Sequence, residues 1–102
     1  MKYNQLKIRQ KQAIAWLIVN RPKKRNALNR ETLSETHQAL LSLEQDSSVR
    51  VVIITGAGEK AFVAGADIAE LADLTPEEAK DLVLEYNRTV FDYIENFSKP
   101  VI

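Results

Sequence analysis

The chain has 102 residues, of which 45% are hydrophobic and 27% charged, a composition typical of one small globular domain. Its 14 Lys and Arg residues balance its 14 Asp and Glu residues, which argues against a dedicated nucleic-acid binder because such proteins carry a basic excess. The absence of cysteine excludes disulfides and thiolate sites, and no apolar run reaches the roughly 20 residues that cross a bilayer. The first residues lack the pattern of a signal or transit peptide, so we expect a cytoplasmic location and no membrane partner.

Two strands are predicted first, over residues 3–9 and 13–20, joined by a polar turn at Gln10-Lys11-Gln12. Apolar side chains occupy both faces of the second strand: Ile14, Trp16 and Ile18 on one face, and Ala13, Ala15, Leu17 and Val19 on the other. We therefore expect this strand to be buried on both sides. Pro22 ends it, because proline cannot donate to a strand ladder.

A basic loop, Lys23-Lys24-Arg25-Asn26, comes next. Its cations could contact phosphates or simply face solvent, and the residue types alone favour solvent. A helix is predicted over residues 30–45, with Asn29 as its N-cap and Asp46-Ser47-Ser48 as its end. Its apolar stripe contains Leu33, Leu40 and Leu43, together with Thr36 or His37. Because the chain holds no second histidine and no cysteine, we assign His37 no metal and no chemistry.

Residues 49–54 are a β-branched run that predicts a core strand, followed by a flexible turn at Thr55-Gly56-Ala57-Gly58. The small residues Ala64-Gly65-Ala66-Asp67 come after it, ahead of a predicted short helix over residues 68–72. Small side chains let a ligand approach the backbone, and a free N–H there would stabilise a carbonyl oxygen that gains negative charge. A merely close-packed turn is the simpler interpretation, and the residues by themselves favour it.

Thr75-Pro76-Glu77-Glu78 predicts a strong helix start, with a threonine cap and proline in the first turn. The helix is expected to run to about Phe97, and its apolar stripe is Ala79, Leu82, Val83, Tyr86, Val90, Tyr93, Ile94 and Phe97. Ser98-Lys99-Pro100 ends it, and Val101-Ile102 resembles the start of another buried strand, so we expect the chain to be a fragment of a larger enzyme. The order of strand, strand, helix, strand and helix indicates an α/β fold.

One cluster of carboxylates suggests acid–base chemistry that the residue pattern does not favour. Asp67, Glu70 and Asp73 could act as general acid and base, but such a cluster more often solvates a helix face. Neither a P-loop nor spaced Rossmann glycines are present.

Two segments taken together resemble the enoyl-CoA hydratase, or crotonase, superfamily. These are residues 20–29, which contain Arg25, Ala27 and Leu28, and residues 61–68, which contain Ala64-Gly65-Ala66-Asp67-Ile68. The resemblance extends over essentially the whole chain. It implies a crotonase-like spiral of β-β-α turns, of which residues 1–102 would be the N-terminal part of one domain, in a protein that assembles as a homotrimer or hexamer.

The resemblance also implies the site. Arg25, Ala27, Leu28, Ala64, Gly65, Asp67 and Ile68 would line the binding site for a coenzyme A thioester, which is the substrate. Arg25 would lie near phosphate. The backbone N–H of Ala66 would be one of two donors to the thioester oxygen. No permanently bound cofactor, no metal and no nucleic acid are implied, and the expected reaction is the reversible hydration of 2-enoyl-CoA to 3-hydroxyacyl-CoA.

Several functions remain open within this resemblance. The second oxyanion donor and the two catalytic glutamates of hydratases match no residue of this chain, so we expect the chain alone to be inactive. Isomerases, hydrolases and dehalogenases of the superfamily share these N-terminal motifs. A truncated, non-catalytic binding or oligomerisation module is the alternative of a different class.

Overall fold

The structure is a computed structural model that describes residues 3–59, 61–65 and 72–102. Its elements are β1 (Leu6–Lys11), β2 (Ile14–Val19), a 3-10 turn (Pro22–Lys24), α1 (Arg30–Gln45), β3 (Val51–Gly56), α2 (Pro76–Tyr86), a π turn (Asn87–Phe91) and α3 (Asp92–Glu95). The predicted order of elements and the α/β class are confirmed. Most of the short helix predicted over residues 68–72 lies outside the described residues.

The described strands form one sheet in the order β1-β2-β3. β1 and β2 are antiparallel, with Leu6 opposite Val19 and Lys11 opposite Ile14. The predicted turn is therefore placed too early, because the ladder continues to Lys11 and the chain reverses at Gln12, whose φ is 54°. β2 and β3 are parallel, and α1 supplies the long connection that parallel strands need.

The prediction that β2 is buried on both faces is wrong. Ala15, Leu17 and Val19 are buried, whereas Trp16 and Ile18 are half-buried and Ile14 is exposed. The described core lies only on the face of Ala15, Leu17 and Val19. On that face α1 contributes Ala39, Leu40 and Leu43. The apolar pattern on both faces of β2 therefore did not indicate which face α1 covers.

α1 begins and ends where predicted. The Asn29 side chain accepts a hydrogen bond of 2.8 Å from the Thr32 backbone N–H, which satisfies one of the donors exposed at a helix start. At the other end, the Ser48 backbone N–H donates to Asp46 Oδ1 at 2.9 Å. Leu33, Leu40 and Leu43 are buried as predicted; of the two alternatives for the remaining stripe position, Thr36 is buried and His37 is half-buried.

β3 is displaced from its predicted bounds by two residues. Thr55 and Gly56 belong to the strand and not to the turn, because they pair with Ile18 and Val19 of β2. At the far edge of β3, Val101 forms a parallel bridge with Val52, and the Ile102 N–H donates to the Val52 carbonyl at 2.9 Å. The predicted strand start at Val101-Ile102 therefore pairs with β3.

The C-terminal helical segment starts with the predicted capping box between Thr75 and Glu78 and continues to Glu95. It contains a π turn that the spacing did not predict. Leu82 and Val90 are buried, but Val83 is exposed, contrary to the prediction. The π turn interrupts the regular α-helical spacing between Val83 and Val90, of which only Val90 is buried.

Candidate functional site

The basic loop adopts a backbone that few side chains favour. After the 3-10 turn at Pro22–Lys24, Arg25 and Asn26 both lie in the left-handed region, with φ of 53° and 58°. Each such residue costs roughly 1 kcal/mol unless it is glycine, so the surroundings must hold the conformation. The side chains of Lys23, Lys24 and Arg25 are exposed, which leaves their charges available to a ligand.

The fold brings the two sequence motifs together through two backbone hydrogen bonds. The Ala64 N–H donates to the Arg25 carbonyl at 3.1 Å, and the Leu28 N–H donates to the Gly65 carbonyl at 2.7 Å. We call this pair of bonds the junction. Gly65 has φ 113°, which is open to glycine and strained for other residues. Gly65 is thus needed for its backbone conformation, because the space that a Cβ would occupy is open.

A buried side chain that the sequence interpretation did not select supports the junction. Asn26 is only 1% exposed. Its Nδ2 donates to the carbonyls of Ala57 and Ala61, each at 2.9 Å, and its Oδ1 accepts from the Arg21 N–H at 2.9 Å. The available signal was a polar residue tolerant of left-handed backbone, placed directly after a short turn.

A cleft of about 460 Å³ lies between the basic loop and the chain that follows β3. Pro22, Lys23 and Arg25 line one side, and Gly58, Glu59 and Ala61 line the other. Its size is within the range of small-molecule sites. A second cleft, of about 330 Å³, is lined almost entirely by apolar side chains, among them Leu28, Phe62 and Val63. Because Leu28 belongs to the junction, the apolar cleft lies directly beside it.

Five of the predicted site residues are described: Arg25, Leu28, Ala64 and Gly65 meet at the junction, and Ala27 lies next to it in the chain. The other three, Ala66, Asp67 and Ile68, lie outside the described residues, as does Glu70. Asp73 is exposed. Within the described residues, no group of three or more His, Asp or Glu side chains is placed to hold a metal ion.

His37 has a structural role at the contact between α1 and the π turn. Its Nδ1 lies 2.7 Å from the Thr89 carbonyl, and its ring packs edge-on against Tyr93 with centroids 5.8 Å apart. A carbonyl partner requires the Nδ1-protonated form as donor. His37 is half-buried at this contact. In the described part of the chain, no helix is both long and apolar enough to span a membrane.

The sequence matches proteins of one enzyme family. It is 42% identical over 102 residues to the crotonyl-CoA hydratase of Syntrophomonas wolfei, a match that covers 100% of this chain and 39% of that protein. The short-chain-enoyl-CoA hydratase of Clostridium acetobutylicum is likewise 42% identical over 102 residues, with 39% of its length covered. The chain thus spans about two fifths of the length of these relatives.

Solved structures agree with the sequence match. The enoyl-CoA hydratase of Bacillus anthracis superposes with a TM-score of 0.89 at 32% identity, covering 96% of this chain and 38% of that one. An enoyl-CoA hydratase/carnitine racemase from Magnetospirillum magneticum also gives 0.89, at 35% identity, covering 98% and 38%. The expected crotonase-like fold is confirmed for this part of the domain. Residues 9–102 match the model of the enoyl-CoA hydratase/isomerase family, and the chain therefore belongs to that family.

Proposed function

We propose that this chain is the N-terminal part of an enoyl-CoA hydratase, a lyase that reversibly adds water to a 2-enoyl-CoA and gives a 3-hydroxyacyl-CoA in fatty-acid metabolism. The observation that carries the proposal is the junction, which joins the Arg25 and Leu28 backbone to that of Ala64 and Gly65. The hydratase names of the 42%-identical relatives support the choice of reaction.

The junction would form a wall for the coenzyme part of the substrate. Arg25 can give charge-assisted hydrogen bonds to a phosphate from its exposed position beside the cleft. The Ala27 and Leu28 backbone would face the adenine and pantetheine groups, and Ala64, Gly65, Asp67 and Ile68 would complete the wall. The coenzyme A thioester is then substrate, and no further cofactor is required.

The proposed chemical contribution is the backbone N–H of Ala66. Adding water beside a thioester carbonyl moves negative charge onto its oxygen, and a prearranged N–H lowers the barrier by stabilising that charge. Losing one donor of this kind costs on the order of 3 kcal/mol in comparable acyl-transfer sites. The second donor and the carboxylates that handle water and proton would come from the remaining three fifths of a hydratase. A homotrimer or hexamer and a cytoplasmic location remain predictions.

The proposal is tested in a chimera in which this chain replaces the matching 39% of the Syntrophomonas wolfei protein. We expect the chimera to hydrate crotonyl-CoA. The reaction is measured by the loss of the enoyl thioester absorbance. Replacing Arg25 by Gln should raise KM by about tenfold with little change in kcat, since one charge-assisted phosphate contact is worth roughly 1.5 kcal/mol.

Lys24→Gln is the matched control, because it removes the same charge from the same exposed loop. A folded chimera without turnover would contradict the proposed function. Equal changes in KM for the two variants would contradict the specific role of Arg25.

An isomerase of the same family could use the same wall, since it also stabilises charge on a thioester oxygen. The chimera does not separate the two reactions because its carboxylates come from the relative. The number of carboxylates in the remainder of the natural active site separates them: two glutamates favour hydration.

A further inference from the structure

The Asn26 side chain connects three pieces of backbone. Among the described hydrogen bonds, no other side chain joins these three pieces. It bonds to Arg21 at the start of the basic loop, to Ala57 directly after β3, and to Ala61 ahead of the small-residue motif. The last two partners lie 31 and 35 residues away in the sequence. One buried carboxamide therefore spans the gap that the junction closes.

The orientation of this carboxamide follows from its partners. Both partners of Nδ2 are carbonyls, and the partner of Oδ1 is an N–H, so every bond pairs a donor with an acceptor. A flipped amide would point its oxygen at two carbonyl oxygens. The two N–H donors of Asn26 are thus the groups that hold the chain after β3 against the basic loop.

There is no room for a side chain at Gly56 beside this amide. A Cβ on Gly56 would lie 2.6 Å from Asn26 Nδ2 and 2.1 Å from the Phe62 carbonyl oxygen. The absence of a side chain at Gly56 therefore lets the Asn26 carboxamide and the Phe62 backbone approach the end of β3 this closely. Asn26 also lies between Arg25 and Leu28, the two residues whose backbone forms the junction.

We propose that Asn26 is a positioning residue for the coenzyme wall, and that its two amide N–H donors set the spacing of the junction. The inference rests on the proposed function of that wall. It extends the proposal to a residue that touches no substrate and acts through the backbone of Arg25, Leu28, Ala64 and Gly65. A role in tolerating left-handed backbone alone would be served equally well by Asp or Gly.

Two substitutions separate these roles. Asn26→Asp keeps the shape, the acceptor and the tolerance of φ 58° but removes both donors. Asn26→Gly keeps only the backbone freedom. In the chimera, both should raise KM for crotonyl-CoA by roughly tenfold while kcat changes less than about threefold, since uniform binding is lost.

The matched control is Val49→Ala, because Val49 is buried just before the start of β3, at the opposite end of the strand from Gly56, and takes no part in the hydrogen bonds of Asn26. Its melting temperature should fall at least as far as that of the Asn26 variants, with KM unchanged. Hydrogen exchange is measured on peptides that cover the basic loop and residues 61–65, both in the 102-residue chain and in the chimera. In each protein, exchange should be faster in the Asn26 variants than in wild type. It should be unchanged in Val49→Ala.

Wild-type KM in Asn26→Asp would overturn the inference, as would faster exchange combined with an unchanged KM. If the wild-type chimera shows no turnover, the proposed function fails on its own. The exchange comparison then still decides whether the Asn26 donors set the junction: unchanged exchange in Asn26→Asp overturns it, and faster exchange supports it.

Discussion

Two glycines near the junction are required for different physical reasons. Gly65 has a φ of 113° but open space where a Cβ would lie, so its backbone conformation is what excludes other residues. Gly56 has no such φ, but a Cβ there would lie 2.1 Å from the Phe62 carbonyl oxygen, a backbone atom that no rotamer change removes. The basic loop shows the converse case, because Arg25 accepts a left-handed φ of 53° without being glycine.

At this scale the Ala66 N–H gives the sharpest prediction. Ala66→Pro removes the proposed oxyanion donor, and Ala66→Gly keeps it. In the chimera we expect kcat to fall about 100-fold or more for the proline variant, with the yield of folded protein much less affected. The glycine variant should retain most of its turnover. Unchanged turnover in Ala66→Pro would rule out the oxyanion role.

α1 is the element that ties the described parts of the chain together. Glu35 accepts hydrogen bonds from the backbone N–H groups of Asn4 and Gln5, at 3.0 and 2.8 Å, which holds the start of the chain. At its other end, Lys99 Nζ donates to the carbonyls of Leu43 and Asp46 at 2.8 and 2.7 Å. A cation at the C-terminus of a helix also meets the negative end of its dipole. The first contact holds the chain that leads into β1, and the second holds the chain that leads to Val101, which pairs with β3.

Glu44 makes this element sensitive to acid. Its pKa is lowered because the Tyr93 hydroxyl, and then the Ser98 backbone N–H, donate to the carboxylate. Burial and the same carboxylate raise the pKa of Tyr93 to about 12. The folded state therefore favours charged Glu44 and neutral Tyr93.

The sign of the pH dependence follows from these two directions. The Glu44 contribution is present above the ordinary carboxyl range and is lost as the pH falls through it towards the lowered pKa of the folded state. The Tyr93 contribution is lost in base, as the pH rises towards about 12. Urea unfolding should show that Glu44→Gln is less stable than wild type at pH about 7 and that the difference shrinks at pH about 3.

Tyr93→Phe provides the partner control, because it removes the same hydrogen bond from the other side. Its difference from wild type should shrink in acid as well. A Glu44→Gln difference that is independent of pH would contradict the assignment of this contact.

At the scale of the whole molecule, the described chain leaves apolar surface uncovered. The apolar cleft is open, Phe62 is 59% exposed, and Ile102 is 76% exposed at the edge of the sheet. Contiguous apolar surface and an unpaired strand edge favour association with other chains. The relatives carry further polypeptide beyond the matched two fifths.

We therefore expect the 102-residue chain by itself to bind a hydrophobic dye and to self-associate, as measured by dye fluorescence and light scattering after size exclusion. The chimera serves as the control, and it should bind much less dye per molecule. A soluble monomer with a sharp, reversible thermal transition and no dye binding would contradict this expectation.

Local chemistry was sufficient for the element ends that depend on neighbours in the sequence. The Asn29 cap, the Thr75 capping box and the end of α1 at Asp46 are all present as predicted, because each rests on hydrogen bonds within a few residues. The bounds of β3 were predicted less well. Whether Thr55 and Gly56 extend a strand depends on Ile18 and Val19, which lie far away in the sequence.

The amino-acid sequence by itself determined the α/β order, the caps, the family resemblance and the two motifs of the site. Only the tertiary structure decided which face of β2 is covered, that Val83 is exposed, and that Asn26 bridges the two motifs. The physical reason is the distance in the sequence between the residues that interact. A cap or a period acts over a few residues, whereas the covered face of β2 depends on a helix later in the chain, and the two carbonyls that accept from Asn26 lie 31 and 35 residues away from it.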